Sequence, residues 1–304
     1  MTAAVIVVNW NDTSASIRAL RSARAKSQLL RILVDNGSAT DPRPEVLARC
    51  PGSVVERLPA NRGYAAACNR GIEIAATRGA SHVLIMNNDA ELARDALDEL
   101  MAADTEIPGR VLAPLIVYSD APDRIWSAGG YVEPPYLRNH HIGLGESLES
   151  HRTRKRVQWA TGCSLWFSVD IWRRLGPLDE AFFLYLEDVD WCLRAAEAGV
   201  ETWFVPEAVV RHDVSRTTGG LSPVVLRYYA YRNHFRLAFR HARGVGRLVI
   251  AFELVWTAIK IGLRSFGSSS YRHDPWYHAR TRALRDFLLG HWGPAPMTVG
   301  GVAT

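Results

Sequence analysis

The chain has 304 residues, 48% hydrophobic and 22% charged, which supplies a full-sized core and excludes a disordered or low-complexity protein. Cys50, Cys68, Cys163 and Cys192 are scattered without a C-x-x-C pair, which excludes a zinc knuckle or disulfide scaffold and fits a reducing cytoplasm. The net charge of +5 is uneven: residues 224–304 carry twelve Lys+Arg against three Asp+Glu, and residues 1–223 carry 24 against 28. A basic terminal segment on an acidic body suggests docking to something anionic, either a membrane face or a nucleic acid.

Residues 3–9 are a continuous apolar run that predicts a strand rather than a leader peptide. It ends at Asn9-Trp10-Asn11-Asp12, and Thr13-Ser14 is expected to cap a helix from Ala15 to Ala25. A second strand, Arg31 to Val34, runs into Asp35-Asn36-Gly37-Ser38, placing a carboxylate at a strand's C-terminal end, where open α/β sheets bind ligands. A third strand, Val54 to Leu58, precedes Asn61-Arg62-Gly63-Tyr64 and a small-residue helix through Ala76. The fourth, His82 to Met86, leads into Asn87-Asn88-Asp89 and a helix from Glu91 to Ala103. Strands alternating with helices, most of the strands apolar on both faces, predict a mostly parallel sheet covered by helices. Further strands are expected at 110–118 and 126–132, and the Pro-, His- and Gly-rich stretch 133–156 reads as a long loop and candidate lid. Strand character returns at Trp159 to Phe167, followed by a short helix from Val169 to Leu175. Phe182 to Leu186 then forms an aromatic wall before a helix from Glu187 to about Ala198, with Gly199 as its C-cap. Strands at 202–206 and 209–212 complete the pattern. Beyond Gly219-Gly220, three helices are expected at about 223–243, 245–266 and 275–290, with a disordered tail after Gly293.

Two acidic groups differ in geometry. At a strand end, residues i and i+2 share a side, so Asn87 and Asp89 are expected to converge on one ion or ribose. On a helix two residues subtend about 200°, so Asp188 and Asp190 cannot share a metal. Asp89 is therefore the metal candidate, and Mg²⁺ or Mn²⁺ would complete its shell with phosphate oxygens and water. His212, at a strand end, could add a nitrogen ligand or be a structural histidine. Asp188, on the rim of a helix N-terminus, is a candidate base, although acids there also serve as plain caps. Neither a Walker loop nor a G-x-G-x-x-G after the first strand is present, which removes the dinucleotide-dependent oxidoreductase reading. A diphosphate bound through a divalent ion would fit these groups, with displacement at a carbon bearing a diphosphate leaving group as the chemistry.

The colinear series Val5 to Asn11, Val34 to Ser38, Asn61-Arg62-Gly63-Tyr64 with Asn69-Arg70-Gly71, Asn87 to Glu91, Thr161-Gly162-Cys163, Asp179-Glu180 with Phe182-Phe183, and Glu187 to Trp191 resembles family 2 inverting glycosyltransferases of the GT-A fold. The resemblance spans about residues 3–215 and is nearest to rhamnosyltransferases acting on polyprenyl-diphosphate-linked sugars. It implies a GT-A (Rossmann-like) α/β catalytic domain over 1–222, a helical extension over 223–296 and a tail over 297–304. It also implies Asp35 as nucleobase contact, Asp89 with His212 as metal ligands for Mg²⁺ or Mn²⁺, and Asp188 as general base. Asn9, Asn11, Asn61, Gly63, Asn69, Asn87 and Asn88 fall at nucleotide-sugar-binding positions, and Glu187, Asp190, Trp191 and Thr161 at acceptor or support positions. The sequence departs from the family pattern in having Asn87 and Asn88 where the motif often has acids. The implied reaction transfers L-rhamnose from dTDP-L-rhamnose to a polyprenyl-diphosphate-linked saccharide in cell-wall or polysaccharide biosynthesis. Galactofuranose, mannose or GlcNAc are the alternative sugars.

Tyr228-Tyr229 with Arg232-Asn233 resembles the start of the family's C-terminal helical region. Taken by itself, Arg232, Arg236, Arg240 and Arg243 form one basic stripe on a helix. Leu248 to Leu263 is apolar but interrupted by Glu253 and Lys260, too broken to span a bilayer. It could pack, form a homo-oligomer or lie on a membrane. A lipid-linked acceptor favours the last, which places the protein in the cytoplasm on the inner face of the cell membrane. The competing class is a non-catalytic module binding anionic lipid or nucleic acid, and nucleic acid is disfavoured because no DNA or RNA motif is present.

Overall fold

Seven apolar or buried positions in succession leave β1 (Ala3–Asn9) no face for water, and all seven are buried in the sheet interior. The computed structural model describes residues 2–214, 221–267, 274–295, 298–299 and 302–303. Strand β1 pairs in parallel with β2 (Leu29–Asp35) and β4 (His82–Asn87), and β2 with β3 (Val54–Arg57). Beyond β4 the sheet continues through the antiparallel β11 (Ser164–Ser168) to β6 (Val111–Tyr118) and β12 (Thr202–His212), which are mutually parallel. Short strands β5 (Ala90–Leu92), β7 (Ile125–Ser127) and β10 (Lys155–Val157) pair antiparallel with β12, β6 and β12, completing a ten-stranded, mostly parallel mixed sheet.

The flanking helices start and stop where local chemistry permits. Asp12, rather than the expected Thr13-Ser14, caps α1 (Thr13–Ser22), accepting from Ala15 N at 3.0 Å. Helix α3 (Tyr64–Thr77) lies tight on β1 because residue 71 is glycine: a Cβ there would stand 2.3 Å from Ile6 Cγ2. Gly71→Ala is therefore expected to destabilise the protein by about 1–3 kcal/mol, read as a lower urea midpoint at unchanged slope. Helix α5 (Val169–Leu175) is capped by Ser168 and ended by Gly176, and α6 runs from Glu187 to Glu197, with Gly199 just beyond it at φ 78°.

Several sequence expectations change. Helix α4 spans Ala96–Glu106 rather than 91–103, because Ala90–Leu92 pairs with β12 instead. The two strands expected at 202–206 and 209–212 are one strand with a register shift between Val205 and Val209. The expected loop 133–156 holds β9 (Arg138–His141), which pairs with β8 (Gly130–Glu133), then a 3-10 turn at Leu148–Ser150 and β10. Helix α2 (Arg43–Arg49) buries Val46 alone, too little for a periodic signal. The four cysteines are buried and form no disulfide.

The chain divides into two compact units, Met1–Tyr131 with His140–Asp179 and Asp188–Gly219, and Val132–Asn139 with Glu180–Glu187 and Gly220–Thr304. The second unit thus takes in two segments from the range expected to be wholly catalytic. It is built on α7 (Pro223–His241), α8 (Val245–Gly267) and α9 (Pro275–Leu288), with Tyr228, Tyr229, Ala279 and Ala283 in the core where α7 meets α9. The expected basic stripe on α7 is corrected at its first member: Arg232 is fully buried, because its donors meet carbonyl groups and its cation meets the rings of Tyr228 and Tyr229. Order also continues past Gly293, whose carbonyl accepts from Arg232, and Ala295 N donates to the Tyr229 hydroxyl. Of the remaining tail, Thr298–Val299 pairs with Val302–Ala303, and the rest lies outside the described residues, as do Gly219, Gly220 and the serines at 268–270. Among the described residues no helix is long and apolar enough to cross a membrane.

Candidate active site

The C-terminal ends of β1 and β2 bring Asn9 beside Asp35. Asn9 Nδ2 donates to Asp35 Oδ1 at 2.8 Å and to Ser38 Oγ at 3.1 Å, and Asn9 Oδ1 accepts from Ser16 at 2.7 Å. Asn9 is buried with its amide engaged on both atoms, so it orients Asp35 from beneath. Asp35 is itself buried, with a short bond from the Ser38 hydroxyl and Arg57 Nε 3.2 Å from Oδ2. Asn11 is exposed, its Oδ1 accepting from Ala39 N at 2.9 Å. Asn61 and buried Gly63 shape the neighbouring wall through Asn36, whose Nδ2 reaches Asn61 Oδ1 at 2.9 Å and Gly63 O at 3.1 Å. Asn69 lies apart from this edge in function: its amide exchanges two 2.9 Å bonds with the backbone of Leu178.

Strand β4 ends at Asn87, and Asn88 and Asp89 form a turn into β5. The two-residue alternation that would align Asn87 with Asp89 holds only inside a strand, so that ground for convergence is lost. Asn87 and Asn88 are half-buried, and Asn88 Nδ2 lies 3.4 Å from Asp12 O. Asp89 is aligned instead with His212, because Ala90 pairs with His212 across the β5–β12 ladder and Asp213 N donates to Asp89 O at 2.9 Å. His212 Nε2 stands 3.3 Å from Asp89 Oδ1, both side chains being buried. Burial disfavours the imidazolium of His212, but the neighbouring Cys163 and Asp89 side chains act the other way and its pKa is raised. Burial pushes the Cys163 thiol up as well.

Asp188 occupies the second position of α6 and is half-buried. Its Oδ2 accepts from Gly162 N at 2.7 Å and its Oδ1 from Val189 N at 2.8 Å, with the Thr161 hydroxyl as a further donor. Removal from water raises the Asp188 pKa, and these hydrogen bonds oppose the rise. Tyr64 in turn donates to Gly162 O at 2.6 Å, pinning the Thr161-Gly162-Cys163 turn that carries the donor. Asp190 points elsewhere, as helix geometry requires: it is fully buried and ion-paired with Arg194 at 3.0 Å. Arg194 also holds the carbonyls of Leu175 and Pro177, each at 2.8 Å. Trp191 packs tilted against Phe167, with ring centroids 4.6 Å apart, and donates to Gly176 O at 3.0 Å. Glu187 is buried at the first position of α6. Asp190 and Trp191 are thus wall residues that fix α6, and Asp188 is the acid of this cluster that reaches solvent.

One group escaped the sequence reading. His141 on β9 packs 4.5 Å from Trp126 and 4.9 Å from Trp159, and Trp126 lies 4.5 Å from His212, all between ring centroids. Its Nδ1 shares a 2.9 Å hydrogen bond with Ser127 Oγ. Burial, reinforced by His212, lowers its pKa to about 4, so it is neutral at pH 7. Only the hairpin pairing carries this histidine to the sheet edge, and nothing in its local sequence signals that.

A buried carboxylate paired at 3.3 Å with an imidazole, its oxygens meeting no other donor among the described residues, fits a divalent cation. Among the described residues no third His, Cys, Asp or Glu completes the set, so substrate oxygens and water would supply the remaining ligands.

These features define a class first. The sheet and its helices match the mannosyltransferase PcManGT of Pyrobaculum calidifontis, solved with GDP-Man and Mn²⁺, at a TM-score of 0.53 and 16% identity over 95% of this chain and 86% of that one. The fold is that of GT-A glycosyltransferases. The sequence then narrows the class. The profile named "Glycosyl transferase family 2" matches residues 4–175. The N-acetylglucosaminyl-diphospho-decaprenol L-rhamnosyltransferase of Mycobacterium tuberculosis is 30% identical over 231 residues, 69% of this chain and 75% of that one. The dTDP-rhamnosyl transferase RfbF of Shigella flexneri is 22% identical over 76% of this chain and 78% of its own length. The chain belongs to glycosyl transferase family 2 and is a hexosyltransferase.

Proposed function

We propose that the protein is an inverting rhamnosyltransferase, moving L-rhamnose from dTDP-L-rhamnose to a polyprenyl-diphosphate-linked saccharide in cell-wall or polysaccharide biosynthesis. The observation that carries this reading is the division of labour among its acids. Asp89 pairs with buried His212 where β5 meets β12, while Asp188 sits half-buried on backbone donors at the start of α6. In a single displacement the acceptor hydroxyl oxygen bonds to the anomeric carbon and the bond to the dTDP oxygen breaks. The hydroxyl proton passes to Asp188, and dTDP leaves with the bonding pair. The opposite faces of entry and departure invert the anomeric centre. Asp35 would receive the thymine, with Asn11, Asn61, Gly63, Asn87 and Asn88 along the donor groove, and Asn9 as a support beneath it. Mg²⁺ or Mn²⁺ on Asp89 and His212 would offset charge on the departing diphosphate. The two rhamnosyltransferase relatives support the sugar and the lipid-linked acceptor.

The test is thermal stabilisation by dTDP-L-rhamnose, UDP-galactofuranose, GDP-mannose and UDP-GlcNAc with and without Mn²⁺. A ligand that binds the folded state alone raises the melting point, by about 2.7 kcal/mol of stability at a hundred times its Kd. Stabilisation by dTDP-L-rhamnose with Mn²⁺ is expected. Silence across the panel would sink the transferase assignment, and a response to another sugar would replace rhamnose.

The same reading puts the protein on the inner face of the cell membrane. Supporting it, α8 presents Val245, Leu248, Phe252, Val255, Trp256, Ile259 and Leu263 as an exposed apolar stripe at helical spacing, with Leu248 71% and Phe252 69% accessible. Exposed Arg240, Arg243, Arg247, Lys260 and Arg264 flank it. An apolar stripe bordered by cations suits an anionic bilayer surface. Replacing both Leu248 and Phe252 by Asp is expected to weaken binding to phosphatidylglycerol vesicles by about tenfold or more, since each large apolar side chain contributes about 1.5–3 kcal/mol on burial. The melting point should hold, because neither side chain is buried. If the pair instead converted a dimer to a monomer and left vesicle binding intact, the stripe would be a subunit interface.

A further inference from the structure

Three of the five non-glycine residues with positive φ among the described residues fall in one turn, just ahead of α6. Phe183, Tyr185 and Leu186 have φ of 65°, 70° and 73°, a region that side-chain-bearing residues seldom occupy. Around Phe183 the chain closes a 2.8 Å bond from Leu184 N to Phe182 O. This i to i+2 closure with positive φ is the strained form of the γ-turn. Such backbone persists only where its surroundings over-determine it.

The surroundings are two consecutive residues of α7. Asn233 Nδ2 donates to the carbonyls of Phe182, Leu184 and Tyr185 at 2.8, 2.7 and 3.0 Å. Its Oδ1 accepts from Arg232 Nε at 3.0 Å, which fixes the amide's orientation, since the flipped amide would set donor against donor. Arg232 Nη2 reaches Phe182 O at 3.0 Å, and its Nη1 reaches Gly293 O at 2.8 Å. Both side chains are fully buried. Apolar residues would fill the same space in a helical core, but they could not bind carbonyls that turn towards α7 because the chain is left-handed there.

We propose that Arg232 and Asn233 are positioning residues for sugar transfer: they lock the left-handed turn 182–186 in the conformation that starts α6 at Glu187 and thereby sets the Asp188 carboxylate. The inference rests on the reading of Asp188 as the base. Leu186 lies two residues before Asp188, so relaxation of the turn to ordinary φ re-aims the first residues of α6. A displacement of about 1 Å in a reacting group can cost on the order of 10²-fold in rate.

The experiment compares Asn233→Ala with the parent by amide hydrogen exchange and by steady-state kinetics. Exchange at residues 183–190 should quicken by about tenfold or more while β1 and β4 keep their protection, and kcat should fall on the order of 10²-fold with KM for dTDP-L-rhamnose held within about twofold. Unchanged exchange at 183–190 would overturn the clamp, as would faster exchange with unaltered kcat. Tyr185→Gly and Tyr185→Ala form a second, matched pair, because glycine adopts φ near 70° freely and alanine does not. In the Asn233→Ala background the glycine variant should turn over faster than the alanine variant, and equal rates would count against the clamp. If Asn233→Ala fails to fold, the same pair is compared in Arg232→Lys, with the same outcomes. The exchange readout involves no turnover, so full activity of Asp188→Asn would overturn the base assignment separately from the clamp.

Discussion

Asp188→Asn is expected to lower kcat by on the order of 10² to 10⁴ while the fold and donor binding survive, because the amide keeps the side chain's shape but cannot take the acceptor proton. The one amide oxygen can still accept from either Gly162 N or Val189 N, so α6 keeps one of the two backbone bonds at its start. Steady-state rates beside a nucleotide-sugar melting shift separate chemistry from binding, and a fully active, folded variant would remove Asp188 from the mechanism. A pH dependence follows from the raised pKa. Base catalysis needs the carboxylate, so kcat should climb with pH through a step above the usual carboxylate range. Stability moves the other way. A carboxyl whose folded pKa lies above its unfolded value contributes stability that is present in full below the unfolded pKa and is lost as pH rises through the folded one. Asp188→Asn carries no such charge, so its melting point should gain on the parent's between acid and neutral pH. A constant gap across that range would contradict the raised pKa.

Asp89→Asn is expected to abolish Mn²⁺-dependent binding of the nucleotide sugar, a loss on the order of 10²-fold or more, because a neutral amide is a poor ligand for a hard divalent cation. Its effect on the metal-free protein has the opposite sign. Asp89 buries a carboxylate whose oxygens meet no donor but the His212 ring among the described residues, which makes that ring its charge partner. Asparagine removes that buried charge, and His212 can then lose its proton rather than stay charged in a dry site. The metal-free variant should therefore melt no lower than the parent, while the increment that Mn²⁺ and nucleotide sugar add to the parent disappears. A variant that kept the increment would place the metal elsewhere, and one that melted far lower without metal would make the pair a structural ion bridge.

Much of the catalytic unit was legible because its signals are local. A run such as Ala3 to Asn9 can only be a doubly covered strand, and the carboxylate Asp35 falls at the end of a parallel strand as expected. The opposite bearings of Asp188 and Asp190 followed from 100° per residue, and they are seen as one half-exposed acid and one buried ion pair. The failures were of partners distant in sequence. The Asn87–Asp89 alignment assumed a strand that had already ended, and the β5–β12 ladder aligned Asp89 with His212 instead. Asn69 read as a ligand residue, yet its amide binds Leu178, 109 residues away. Arg232 read as part of a solvated stripe, and it is buried because carbonyls from residues 182 and 293 converge on it.

The sequence by itself determined the alternation of strands and helices, the order of the motifs and the family, since periodicity, caps and turn residues act over a few positions. The tertiary structure decided which acids are aligned with which donors, because burial and hydrogen-bond geometry arise only when segments far apart in the chain meet. For Glu187-Asp188-Val189-Asp190 that difference is concrete: the sequence supplied three acids at a helix start, and the fold left Asp188 the half-exposed one, seated on backbone donors of a distant turn.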